Sequence, residues 1–159
     1  MIARAAVAAG VAVVLLCAVP ALGQEQASAP VAVVVAADAH IDSLSLGELR
    51  RIFLGDRQFT GDRARITLIV PPPGTPERAT ILRVLYRMRE VEYRQYWVAK
   101  IFRAEVTGGP RVATAEQAKR QAATTRGAIA LIPASAVDRT VKVIVVGGRR
   151  PGQSGYELH

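Results

Sequence analysis

The chain of 159 residues has one cysteine and two histidines, and only 5% of its residues are aromatic. A single cysteine excludes a disulfide framework. Two histidines, one of them the last residue, His159, leave little for imidazole-based catalysis or metal chemistry. There is no G-x-S-x-G elbow, no metalloprotease helix motif and no glycine-rich nucleotide loop, so an enzyme is not expected and no cofactor is called for. Internal repeats are missing as well. Acidic residues are in deficit, 13 against 21 basic ones, for a net charge of +8. No DNA- or RNA-binding motif accompanies that charge, and a nucleic-acid partner is not expected. The charge suits small anions, anionic polymers or membrane headgroups, or merely a soluble basic surface.

The N-terminus reads as a targeting segment. Arg4 precedes the apolar run Ala5–Ala18, Pro20 breaks it, and Ala21-Leu22-Gly23 offers a cleavage site before Gln24. The run is short for a bilayer span, which argues against an uncleaved anchor. Cys17 follows Leu16, where lipid attachment needs a small residue, so a lipoprotein is not expected. The expected organisation is a signal peptide at 1–23, a flexible leader at 24–29, one domain at 30–146 and a flexible tail at 147–159. After cleavage no integral membrane segment is expected, and the destination is the periplasm or the exterior.

Val31–Ala37 is a continuous run of β-branched residues and alanine, as in a strand covered on both faces. Ser45 with Glu48 forms a capping box for a helix near Leu46–Leu54. That helix lines up Leu46, Leu49, Ile52 and Phe53 and is stopped by Gly55. A loop at Asp56–Arg63 leads to a strand at Ala64–Val70, which Pro71-Pro72-Pro73-Gly74 ends. Thr75 and Pro76 open a helix with Ile81, Leu82, Leu85 and Tyr86 on its apolar face. A further helix at Val91–Phe102 aligns Tyr93, Tyr96, Trp97 and Ile101, read as core, with Glu90 and Arg94 as a solvent-side pair. After a turn at Thr107–Pro110, Thr114 and Gln117 cap a helix to about Thr124. Gly127–Ile132 and Val141–Val146 are the last strands. Helices alternating with strands indicate a single layered α/β domain with a mostly parallel sheet.

Two groupings can carry binding chemistry. Asp38, His40 and Asp42 would share one face of an extended strand, but they stand where a strand gives way to a helix, and are read as a solvated loop, with no metal expected. The second is the strand–loop–helix start around Gly74 and Thr75. Free amides and the positive helix end there suit phosphate or carboxylate, and Arg78 adds charge. Pro76 removes one donor and Glu77 adds a competing charge, so capping alone also explains the motif.

LSLGELRRIFLG at 44–55, PPPGTPERATIL at 71–82 and TTRGAIALIPASAV at 124–137 resemble, in order, segments of the phosphate-binding proteins of bacterial ABC importers. YRQYWVAKIF at 93–102 resembles an aromatic helix of short members of that superfamily. The resemblance implies one unit of a type II periplasmic binding protein. It also implies a solute-binding function toward phosphate or another small anion, and an ABC permease as partner. Gly74, Thr75 and Arg78 would form the site, with Arg126, which replaces the proline of the family's TPGAIGY strand, as a remote addition. The departures are large. Family members carry two lobes and about twice this length. The glycine-serine-threonine loop after the first strand is here Ala36-Ala37-Asp38-Ala39. The Arg-x-Asp-Gly-Ser-Gly-Thr run is reduced to Gly74-Thr75. The alternative is a non-catalytic envelope module that keeps the fold and binds a protein or an anionic polymer.

Overall fold

A computed structural model describes residues 29–159. The expected signal peptide, Cys17 and nearly all of the leader lie outside the described residues. Strand β1 (Val31–Ala36) is buried along five of its six residues, as its β-branched run demands. Two-residue β2 (Ser43–Leu44) precedes α1 (Leu46–Phe53). There the Glu48 amide donates to Ser45 Oγ at 3.2 Å and the Ser45 amide to Glu48 Oε2 at 2.9 Å, closing the capping box. Gly55 ends the helix at φ +76°, and a Cβ there would meet the Trp97 ring at 3.0 Å. Close packing and a left-handed backbone both require glycine at this position.

β3 (Thr67–Val70) is shorter than the expected Ala64–Val70. Residues before it are drawn into a local pairing of Phe59 with Arg65. α2 (Pro76–Ile81) widens into a π-helical turn at Leu82–Tyr86, which Arg87 closes in the left-handed region. The Val84 carbonyl in that turn accepts two bonds from the Arg50 guanidinium, at 3.0 and 2.9 Å. α3 (Glu90–Phe102) is followed by the two-residue strand β4 (Arg111–Val112), and α4 (Ala115–Thr124) leads into β5 (Ala128–Pro133). The expected final strand divides. β6 (Val141–Val143) pairs with β1, buried Ile144 donates its amide to Val33, and β7 (Val145–Val146) crosses to pair with β2.

The main sheet has the order β4-β3-β5-β1-β6. β3 is parallel to both β4 and β5, while β1 runs antiparallel to β5 and to β6. Four strands therefore point the same way, with β1 the reversed member, as the mostly parallel α/β layering expected. Alternation along the strands sorts the two faces. Val31, Val33, Val35, Ile129 and Leu131 meet α1, α2 and α3 in one cluster. Ala32, Val34, Ala128, Ala130 and Ile132 meet Ala118 and Ala122 of α4 in the other, where small side chains let the helix lie close.

Tyr93, Tyr96 and Trp97 of α3 are core, as expected. Phe53, Tyr86, Tyr93, Trp97 and Tyr96 form an edge-to-face series with centroids 4.7–6.5 Å apart. Ile101 departs from that reading and faces solvent. Glu90 pairs with Arg78, not with Arg94. Residues 147–159 differ from the expected flexible tail. Tyr156 and Leu158 are buried, the Val31 amide donates to the Leu158 carbonyl, and Tyr156 Oη donates to the Val31 carbonyl at 2.7 Å. Those two apolar side chains outweigh the glycine-rich composition around them.

Candidate functional site

Neighbouring strands β3 and β4 run parallel, and the chain leaves their carboxyl ends toward opposite faces of the sheet. After β3, Pro71–Gly74 leads into α2 on the α1/α3 face; after β4, Ala113 and Thr114 lead into α4 on the other. In open α/β sheets the crevice outside such a reversal point is where ligands are taken. Two helix starts follow these paired strand ends, one on each face, with their first-turn amides and positive dipole ends.

Each start is built by a threonine cap. Gly74 makes the turn at φ +84°, with open space around it. Thr75 Oγ1 accepts from the Arg78 amide at 3.2 Å and donates to the Pro72 carbonyl at 2.9 Å. Thr114 Oγ1 accepts from the Gln117 amide at 3.4 Å, and the Thr114 amide donates to Gln117 Oε1 at 3.2 Å. Glu77 and Glu116 stand in the two first turns and oppose an incoming anion. Thr114 was legible in the sequence as a cap; its place at the same sheet edge as Gly74 and Thr75 depends on the β3–β4 pairing, which a two-residue strand does not announce.

Arg78 is not at this surface. It is 2% exposed, and its Nε and Nη2 donate to the two Glu90 carboxylate oxygens at 3.0 and 2.9 Å. Its guanidinium lies 4.1 Å over the Tyr93 ring, and Nη1 has no hydrogen-bond partner among the described residues. Burial works to lower the Arg78 pKa, but the bond to Glu90 and its neighbours leave it raised. The same bond holds Glu90 below its ordinary value. Arg78, expected as an anion ligand, thus ties α2 to α3 with its guanidinium turned to Glu90 and Tyr93.

Arg126 lies elsewhere again. It immediately precedes Gly127 and β5, and β5 is parallel to β3, so Arg126 stands at the edge opposite Gly74 and Thr75. Its guanidinium donates to Asp62 Oδ2 at 3.1 and 2.7 Å. Bonds from the Thr60 hydroxyl and then from Arg126 hold the Asp62 carboxyl well below the usual range. This pair walls a cleft of about 510 Å³ that also receives Asp38 and His40. Asp42 turns to Lys142 at 2.9 Å, and no metal-binding group of three or more His, Cys, Asp or Glu forms among the described residues. No helix among them is long and apolar enough to cross a membrane.

No family model matches the chain, and no curated protein matches it. Solved structures do. A phosphate ABC transporter substrate-binding protein from Clostridium perfringens, with bound phosphate, is 16% identical with a TM-score of 0.62, over 77% of this chain and 47% of that one. An ABC-type phosphate transport receptor from Vibrio cholerae gives 16% and 0.62, over 77% and 48%. PstS from Borrelia burgdorferi gives 14% and 0.59, over 77% and 49%. The likeness is one of fold, and the chain spans about half the length of each of these structures.

Proposed function

We propose that the chain is an exported, single-lobe solute-binding protein that takes phosphate or another small anion at the carboxyl edge of its sheet and passes it to an ABC permease. The observation that carries this reading is that two threonine-capped helix starts, at Thr75 and Thr114, follow the paired carboxyl ends of β3 and β4, where the connections part to opposite faces. A fold shared with structures named for phosphate transport supports it, as does the net charge of +8. Gly74 and Thr75 remain the site residues of this reading, joined by Thr114, while Arg78 ties α2 to α3. Glu77 and Glu116 keep affinity modest, since each places a carboxylate where the anion's charge would be received.

The test is thermal unfolding of the chain with and without phosphate, sulfate and small carboxylates at constant ionic strength. A site on the folded state raises the midpoint once ligand exceeds its dissociation constant. A flat response to millimolar phosphate contradicts the proposal. The second reading, an envelope interaction module, is favoured by one observation, the exposure of Val91, Val98 and Phe102 on the outer side of α3.

A further inference from the structure

α3 is apolar on two opposite faces. Tyr93 and Trp97 face the core, while Val91, Val98 and Phe102 face outward, 53%, 67% and 90% exposed. Together with Arg94, Gln95 and Ala99 they line one shallow hollow, and exposed Ile101 extends its shoulder. A surface helix ordinarily turns polar residues outward, so a helix apolar on both faces is one whose second cover is missing. The stripe runs from Val91 to Phe102, about 16 Å at the helical rise.

The charges around this stripe identify the cover. Its acids are engaged within the chain: Glu90 by Arg78, Glu92 by Arg89, and Glu105 by Arg103 and Lys100. Arg94, which lines the hollow, has no carboxylate within ion-pair distance among the described residues. The rim is therefore net positive. A second copy of the chain would bring like charges together along the stripe. An anionic bilayer complements it, with Val98 and Phe102 below the headgroups and Arg94 at the phosphates. We propose that the outward face of α3 is a docking surface for an anionic lipid bilayer. The site is separate from the anion surface and stands or falls independently of it.

The test is co-sedimentation of the full chain with vesicles of phosphatidylcholine alone and of phosphatidylcholine with phosphatidylglycerol. Partitioning is expected to be at least tenfold stronger on the anionic vesicles and to weaken with salt. Phe102→Ser with Val98→Asp lowers it tenfold or more, and Arg94→Gln about fivefold. The Ala5–Ala18 run is present in every variant, so binding unchanged by both sets of α3 substitutions would belong to that run and overturn the proposal. Equal binding to both vesicle types overturns it too. So does a dimer in sedimentation equilibrium that Phe102→Ser dissolves, because the face is then an interface between copies.

Discussion

A guanidinium shut away from solvent has to be answered, and Arg78 is answered by Glu90 and the face of Tyr93. Glu90→Ala leaves that charge buried without its partner. With Glu90 itself partly exposed, the expected loss is about 2–3 kcal/mol of stability, read from urea unfolding. The linkage has a definite sign. Glu90 titrates below its ordinary value when folded, so the pair's contribution is complete above about pH 4.5 and is lost as the pH falls through the folded-state value. Stability measured from pH 7 down to pH 3 should fall less steeply in Glu90→Gln than in the parent. Gly127 has another constraint, since at φ +78° a Cβ would run into the Arg65 carbonyl oxygen. Gly127→Ala is expected to cost roughly 2 kcal/mol or more. At this scale the local devices were legible, because Ser45–Glu48, Thr75–Pro76 and Thr114–Gln117 act within three residues of one another. The Arg78–Glu90 pair was not. It joins residues on two helices whose packing sets the partner, and Arg94 was the nearer choice along the chain.

Among the elements, a long apolar or capped run announced itself and a two-residue strand did not. β1, α1, α3 and α4 follow from β-branched continuity, capping boxes and helical spacing. β2 and β7 pair with each other and bury Leu44 and Val146, and β4 sets Thr114 at the same sheet edge as Thr75. The periodicity of α3 located its buried aromatic face but gave Ile101 the wrong side, because apolar residues occupy both sides of this helix. Its two faces predict opposite outcomes in thermal unfolding. Trp97→Ala empties a core position and is expected to cost about 3–5 kcal/mol. Phe102→Ser removes an exposed side chain and should change stability by no more than about 0.5 kcal/mol.

Across the described residues, the C-terminal segment closes on the start of β1. Tyr156 and Leu158 pack beside the first residue of β1, so truncation after Gly152 removes two buried side chains and two hydrogen bonds to Val31. About 3 kcal/mol or more of stability should go with them, visible as a lowered midpoint. The sheet also separates the residues that sequence reasoning grouped. Gly74 and Thr75 lie at its carboxyl edge and Arg126 at the other, bound to Asp62. That separation gives the anion-site proposal its sharpest consequence, and amide chemical shifts during a phosphate titration at constant ionic strength test it most directly. The account predicts saturable changes at Gly74, Thr75 and Glu77 and at Ala113–Glu116, with Asp62 and Arg126 unmoved. Silence at both helix starts, or changes confined to Asp38, His40, Asp62 and Arg126, would contradict it.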